Sequence, residues 1–457
     1  MKRFTLKAAL SLTTLSTPAL GLNLQVQDGN SLKNAASTIA YGLMKYYTGN
    51  NTGDTPGNLP DPYYSYAGQD RTIANAKQGD STYNDVTKQA MVHQASVTKD
   101  FMPKNQTRTE GNDDQGFWAM ASMTAAENKF PDPPSDEAQW LAVTQAVFNQ
   151  YVLRWDPADC KGGLRWQIFQ FNKGWDYKNS ISNGCFFNVA ARLHRYTGNS
   201  TYADWATKIF NWHLDIGLIS HDYAVYDGIT IDTGGICQRI DQLEWSYNSG
   251  IFLHGAAAMY NATGDAKWKT AVDGFLQRAE SKFFKDGVLY EQFCEGQKNC
   301  NNDQQSFKGY LLRWLSSTAQ LAPYTYNAIK PLLEKSAVAA ASTCIGTSAP
   351  PKFKGMPGTA CGFSWTSPGT YDDNVAVGSQ MNALDAVMYN LVKQAAPPVT
   401  EKAGGTSKGD PNAGSGGTED PTRLKPMTTA DRAGAAVVTM LFIIGALGST
   451  AFMLLEF

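Results

Sequence analysis

Residues 183–198 read Asn-Gly-Cys-Phe-Phe-Asn-Val-Ala-Ala-Arg-Leu-His-Arg-Tyr-Thr-Gly, and residues 249–264 read Ser-Gly-Ile-Phe-Leu-His-Gly-Ala-Ala-Ala-Met-Tyr-Asn-Ala-Thr-Gly. Each is an apolar run that ends at a glycine, Gly198 or Gly264, where a helix end needs a left-handed residue. A capping side chain follows each one: Asn199 or Ser200 after the first, Asp265 after the second. A second amphipathic stretch comes next. Tyr202, Trp205, Ala206, Ile209, Phe210, His213 and Leu214 step by three and four, and so do Trp268, Ala271, Val272, Phe275, Leu276 and Ala279. The unit is a helical hairpin, repeated 66 positions later.

Working outward, Trp140, Val143, Val147, Phe148 and Tyr151 carry the same spacing. The pattern predicts further helices over 31–47, 83–97, 114–128, 304–320, 326–342 and 375–395, about eleven in all, with short extended pieces only near 225–231. Repeated helical hairpins stack as an open solenoid or close into a ring. The repeats here are irregular and the long loops are rich in Gly and Trp, which favours the ring, because loops of that length tend to be functional. Six hairpins in a ring make an all-α (α/α)6 barrel, with inner helices around a funnel and the chemistry on the loops at one end.

Of the 457 residues, 18% are charged, against about 25% in an ordinary soluble protein, and the net charge is −2. No basic face is present for a nucleic-acid partner. Aromatic residues reach 12%, which suits a neutral polar ligand such as a sugar, whose C–H faces stack on rings. Both ends read as addresses. Met1-Lys2-Arg3, an apolar run from Ala8 to Leu20 and Ala19-Leu20-Gly21 fit a secretory signal over residues 1–21. Residues 397–433 read as a Gly/Ser/Thr/Pro-rich linker and 434–457 as an apolar tail with no basic cluster behind it. With small residues near Asn412 to Gly417, this predicts a GPI-anchor signal rather than a membrane-spanning helix, and leaves 22–396 as the catalytic domain.

Seven cysteines fit the oxidising compartment that such addresses imply. Cys294 with Cys300 and Cys344 with Cys361 enclose short loops suited to local bridges. Cys160 with Cys237 would form a longer staple, and Cys185, in an apolar run, reads as unpaired and buried. Spacing alone does not fix connectivity. Sequons stand at Asn50, Asn105, Asn199 and Asn261. No spacing of Cys or His suggests a metal, and no cofactor motif occurs.

A glycosidase needs two carboxylates at the scissile bond. Asn112-Asp113-Asp114-Gln115-Gly116-Phe117-Trp118 places two at a helix start. The helix N-terminus favours the ionised form, and a neighbouring like charge raises one pKa, so one acid can stay protonated while the other attacks. The simpler reading is that such an Asp only caps its helix. Asp372 and Asp373, before the last body helix, look equally like caps and are further candidate substrate-binding residues. Trp118, Trp166, Trp175 and Tyr247 are candidate stacking platforms, and Asn112, Gln115, Arg165, Gln167 and Asn248 candidate hydroxyl partners.

These segments, Asn112 to Trp118, then Cys160-Lys-Gly-Gly-Leu-Arg-Trp-Gln, then the run from Asn179 to Asn199, then Trp245-Ser-Tyr-Asn-Ser-Gly, resemble glycoside hydrolase family 76, the endo-α-1,6-mannanases, in order and over about Asn23 to Lys393. The tail, sequons and cysteines resemble its fungal cell-wall branch. The resemblance implies an (α/α)6 barrel and a retaining mechanism, with Asp113 as nucleophile and Asp114 as acid/base. It also implies an α-1,6-mannan or GPI-core glycan as donor, β-glucan or water as acceptor, and a lipid anchor holding the enzyme outside the plasma membrane at the cell wall. Gln115, where bacterial members often carry an acid, and Cys185 depart from the pattern. Two competing readings are a wall-anchored mannan-binding or structural protein without turnover, and an unrelated (α/α)6 glycosidase or lyase.

Overall fold

A computed structural model describes residues 22–59, 81–347, 353–374, 376–415 and 429–455. The signal-like segment 1–21 lies outside the described residues. The helices are α1 (Gly29–Met44), α2 (Asn84–Ala95), α3 (Asn112–Glu127), α4 (Trp140–Arg154), α5 (Ser180–Thr197), α6 (Ser200–Asp215), α7 (Ser246–Thr263), α8 (Ala266–Phe283), α9 (Phe307–Leu321), α10 (Tyr326–Ser342), α11 (Val377–Met388) and α12 (Thr429–Leu455).

The helices sort into two rings by which faces are apolar. α3, α5, α7 and α11 are buried nearly all round, whereas α6 and α8 bury one stripe: Tyr202, Ala206, Ile209, Trp212 and His213 on one, Trp268 to Ala279 on the other. A helix apolar on all sides goes inside, and a striped one covers it. Accordingly α3 packs on α5, α5 on α7, α7 on α9 and α9 on α11, each with the next helix in sequence outside it, and α1 lies along α11. This is the (α/α)6 barrel of the sequence reading. The capping prediction holds at Gly198 and Gly264, which sit in the left-handed region at φ 75° and 72°. Asn199, rather than Ser200, caps α6 by accepting from the Thr201 N–H, while Asp265 occupies the N-cap of α8 without a side-chain bond.

Extended structure goes beyond the predicted pieces. β1 (Tyr177–Asn179), β2 (Tyr226–Asp232) and β3 (Ile236–Glu244) form an antiparallel sheet in that order, and β4 (Phe284–Lys285) pairs with β5 (Val288–Leu289). β3 leaves polar residues on both faces, so it lacks the alternation that marks a strand. Its Cys237 is bonded to Cys160, and Cys294–Cys300 and Cys344–Cys361 are the other bridges. Cys185 is free and buried.

The parallel inner helices give the barrel two unlike ends. Their N-terminal ends meet at one, where the loops are long. The C-terminal ends of α3, α5, α7 and α9 meet at the other around Glu127, Arg192, His254 and Arg313. Residues 397–415 do not leave the body as a free linker. They are bound along its outside, beginning with Val399 N–H to the Glu127 carbonyl at 2.8 Å. α12 is apolar and uncovered by the body, with mean hydropathy 1.9 over Arg432–Thr450.

Lys178, fully buried on β1, holds the loop that precedes it. Its ammonium donates to the carbonyls of Asp156, Asp159 and Gly162 at 3.0, 2.6 and 2.7 Å. The Lys178→Met variant leaves the Asp156 and Gly162 carbonyls without a donor, while the Asp159 carbonyl keeps the Gly162 N–H at 3.3 Å. It is expected to lose about 3 kcal/mol of unfolding free energy in urea titration.

Candidate active site

The chain enters α3 through Gly111, in extended conformation and bridged to Gln167. The first turn is fixed from several sides. Asn112 N–H donates to the Trp166 carbonyl at 2.8 Å, and its amide to the Arg165 carbonyl at 2.9 Å. Tyr151 donates to the Asn112 carbonyl, and the Arg154 guanidinium spans the side chains of Asn112 and Gln115. Gln115 donates in turn to the Asp100 carbonyl at 2.7 Å and to Gln150 at 2.6 Å. A side chain at Gly116 would collide with the Tyr151 hydroxyl and with Cys185, so α3 seats directly on α4 and α5 there.

Within this frame Asp113 and Asp114 keep a solvent-facing edge while lying deep among protein atoms. Asp114 Oδ2 accepts from the Gly111 N–H at 2.7 Å, and Asp113 Oδ1 from the Asp114 N–H at 3.1 Å. Burial and the Asp114 charge hold the Asp113 carboxyl well above the usual carboxylate range, and Asp303 adds to the rise. Burial brings Asp114 to about 6, offset in part by the Gly111 N–H bond. Both carboxyls of the pair therefore hold their protons more tightly than a free aspartate does.

Three acids that the sequence reading passed over share this end. Glu110 is buried, and its pKa is pushed up to about 9 by burial and by the charges of Asp114 and Asp100, against Arg154. Asp227, on β2, accepts from the Tyr177 hydroxyl at 2.6 Å, and burial raises it to about 6 with help from Asp241. Asp303 lies in the turn before α9. Glu110 stands two positions before a motif already read, and Asp227 inside the extended piece already noticed. No local signal set Asp303 apart from the polar loop around it.

The predicted contact residues separate. Tyr247 is half-buried, stacked on Phe307 with ring centroids 3.8 Å apart. Its phenol is raised by burial and then by Asp227, Asp303 and Asp113, so the structure brings Tyr247 to the acids. Trp166 is 36% exposed on the rim. Gln167 and Trp175 line a cleft of about 400 Å³ with Asn112, Arg154 and Arg165, whose guanidinium lies 4.6 Å from the Trp175 ring centre. Trp118 is not a platform: it is 4% exposed and stacked on Phe101. Asn112 and Gln115 spend their side-chain groups on the frame of α3. Asn248 is fully buried in α7, away from solvent. Asp372 and Asp373 are not brought to the pair. Asp372 accepts from the N–H groups of Phe363, Ser364 and Asn374, closing its own loop beside a separate cavity of about 290 Å³. Asp373 is exposed, at φ 56°. No group of three or more His, Cys, Asp or Glu placed to hold a metal occurs among the described residues.

A carboxyl whose pKa is raised by folding holds a proton that the unfolded chain has lost, so stability falls as pH rises through that interval. Asp113→Asn removes the penalty that burial and the neighbouring charge impose on this carboxyl. It is expected to raise Tm by a few degrees at pH 7 and to leave it unchanged below a pH of about 4, where both forms are neutral. Differential scanning calorimetry across pH checks this, and an equal gain at both ends of the range would contradict it.

Compared with known proteins, residues 31–402 match glycosyl hydrolase family 76. The chain is 46% identical over 433 residues to the mannan endo-1,6-α-mannosidase DCW1 of Saccharomyces cerevisiae, covering 92% of each. It is 40% identical to the mannan endo-1,6-α-mannosidase DFG5 of the same yeast, covering 95% of this chain and 94% of that one. The crystal structure of Dfg5 from Chaetomium thermophilum in complex with glucosamine superposes with a TM-score of 0.80 at 43% identity, over 86% of this chain and 97% of that one. An inactive variant of a Salegentibacter α-1,6-mannanase, with two consecutive aspartates changed to asparagine and bound to α-1,6-mannotriose, shares the fold at a TM-score of 0.60 and 18% identity, over 79% and 99%. A family match spanning most of the chain, joined to relatives of this identity and to an acid pair at the mouth of the barrel, places the protein in glycosyl hydrolase family 76 as a glycosidase.

Proposed function

We propose that this enzyme cleaves α-1,6-linked mannan with retention, and that it passes the mannosyl end to a sugar hydroxyl as well as to water. The observation that carries the reading is the Asp113–Asp114 pair at the barrel mouth, both carboxyls raised by burial, with the Asp114 charge adding to the rise at Asp113. A module that only binds sugar has no use for two costly acids side by side, whereas acid/base and nucleophilic chemistry requires groups perturbed in this way.

In this reading Asp113 attacks the anomeric carbon, and Asp114 gives its proton to the departing glycosidic oxygen. Gly111 holds Oδ2 of Asp114, which leaves Oδ1 for that oxygen. Bound substrate favours this division of the proton between them. Positive charge growing at the anomeric carbon beside Asp113 stabilises its anion, and an oxygen lodged against Asp114 favours the acid form as donor. A mannosyl ester on Asp113 is then resolved by an acceptor whose proton returns to Asp114. An acceptor sugar held in the cleft outcompetes water through effective molarity.

The relatives' activity supports the mannan assignment. The signal-like N-terminus, the disulfides and the apolar helix α12 support an enzyme at the outer face of the plasma membrane, anchored by lipid. There the donor would be the α-mannan core of GPI-anchored glycoproteins and the acceptor wall β-glucan, in cell-wall biogenesis.

The test is incubation with a defined α-1,6-mannooligosaccharide and a labelled β-glucan oligosaccharide, read by mass spectrometry. Asp113→Asn and Asp114→Asn are each expected to lower turnover about a thousand-fold. Azide should rescue the first by forming a mannosyl azide, and a fluorinated mannosyl donor should label Asp113. Label on another residue would sink the role assignment, and hydrolysis alone with every acceptor would sink transfer. In the same assay Tyr247→Phe is expected to retain activity within a few-fold, because stacking on Phe307 survives, while Tyr247→Ala loses at least about tenfold.

A further inference from the structure

Tyr247 and Phe307 stack with their ring planes 7° from parallel. Tyr247 is the second residue of α7 and Phe307 the first of α9, so the stack joins two inner helices at their N-terminal ends. The group that holds each ring in place is bonded to the residue beside it. Both of these groups belong to one turn, Glu291 to Glu295.

The start of α7 has no cap of its own. Trp245 occupies the N-cap position, and its side chain makes no capping bond. Glu291, two residues after β5, supplies one from outside the helix. Its two oxygens accept from the Ser246 N–H at 3.2 Å and from the Ser246 hydroxyl at 2.5 Å. A carboxyl in this place satisfies a first-turn donor and lies at the positive end of the helix. Bonded twice to Ser246, it fixes the backbone that carries Tyr247.

The start of α9 is held by the other acid of the turn. Lys308, next to Phe307, donates to Glu295 Oε2 at 3.1 Å and to the Phe363 carbonyl. Its ammonium lies over the Phe363 and Trp365 rings, at 4.1 and 4.0 Å from their centres. The second oxygen of Glu295 accepts from the Trp365 N–H at 3.3 Å. The turn is closed on itself as well. Glu291 N–H donates to Glu295 Oε2 at 2.9 Å, Glu295 N–H donates to the Glu291 carbonyl at 2.9 Å, and the Cys294–Cys300 bridge pins its far side.

Ser246, Glu291 and Lys308 are fully buried, and Glu295 is 7% exposed. Ionisable groups are seldom kept in such surroundings, and apolar side chains of the same volume often serve stability as well or better. Hydrogen bonds, unlike apolar contacts, fix direction as well as distance. What they fix here is the pair of rings whose phenol member the structure brings to Asp113, Asp227 and Asp303.

We infer that Glu291 is a positioning residue for the reaction. It acts through Ser246 on Tyr247, as Glu295 acts through Lys308 on Phe307, and the stacked rings stand as a fixed wall beside the acids. Being fully buried, Glu291 itself touches no substrate. This rests on the mannanase reading and adds to it the part of the molecule that sets the sugar against Asp113.

The experiment measures kcat and KM on a soluble α-1,6-mannooligosaccharide, using the full chain well below the Tm of each variant. The variants are Glu291→Ala, Glu291→Gln, Tyr247→Ala and the double variant of both alanines. Glu291→Ala is expected to lower kcat at least about fivefold, since a displaced wall misplaces the reacting sugar. In the Tyr247→Ala background the same change is expected to cost less than about twofold, because the residue it acts through is gone. Glu291→Gln still accepts the Ser246 N–H and donates to its hydroxyl oxygen, so kcat returns to within about twofold of the parent. A role in stability alone lowers Tm and leaves kcat unchanged, or lowers it by one factor in both backgrounds. Either result would overturn the proposal. If Glu291→Ala does not fold, Ser246→Ala takes its place in the same cycle, with a fall of about threefold expected and the same criterion. As a readout independent of activity, amide hydrogen exchange over residues 246–250 is expected to quicken at least about tenfold in the alanine variant and to stay near the parent rate in Glu291→Gln. Unchanged exchange in the alanine variant would also overturn the proposal. A parent without turnover would instead defeat the mannanase reading, and the exchange result would still decide whether Glu291 holds the start of α7.

Discussion

The first turn of α3 is the point on which the site depends. A helix start leaves backbone donors unsatisfied and is free to fray. Here Asn112 is held by its N–H, its carbonyl and both ends of its side-chain amide, through Trp166, Tyr151, Arg165 and Arg154. With the turn fixed, the two side chains that follow have one way to point. Arg154 is the last residue of α4, so the outer helix of the hairpin braces the inner one at the place where the chemistry sits. Residues 397–415 lie along the same α4, and so one outer helix carries both the C-terminal segment and the brace of the acid pair.

The barrel distributes charge along its helix dipoles. The inner helices run parallel, and their N-termini, the positive ends, converge at the mouth with Glu110, Asp113, Asp114 and Asp303. Their C-termini converge at the other end, where Arg192 pairs with Glu127 at 2.6 Å and donates to the Met120 carbonyl at 3.2 Å. The helix ends temper the repulsion among the acids without removing it, since Glu110, Asp113 and Asp114 all keep raised pKa values. Apolar packing around the ring and three disulfides offset that unfavourable cluster, so the reactive end can remain strained while the scaffold stays ordered.

Much of this was legible in the chain. The three- and four-step spacing of Tyr202 to Leu214 and Trp268 to Ala279 is the direct imprint of one buried stripe per outer helix. Gly198 and Gly264 mark the helix ends because few other residues adopt that backbone. The three disulfides are the candidate pairs that the sequence offered without fixing their connectivity, and Asp113-Asp114 was visible as one of two adjacent acid pairs at a helix start. Side-chain direction was not legible. Trp118 and Trp166 look equivalent as letters, but one is stacked in the core and the other sits on the rim. Asp372 resembles Asp113 in its local sequence, yet it closes a loop beside a separate cavity instead of joining the acid pair.

The sequence by itself determined the helices and where they end, because periodicity, capping and glycine placement act over a few residues. Tertiary structure alone decided which acids share a mouth, since Glu110, Asp227 and Asp303 come from distant segments that meet only when the ring closes. It also decided that Gly409 and Gly414 serve close packing against α4, although their composition is that of a linker. Composition records the freedom a chain could have, whereas contact with a neighbouring surface sets how much of that freedom remains.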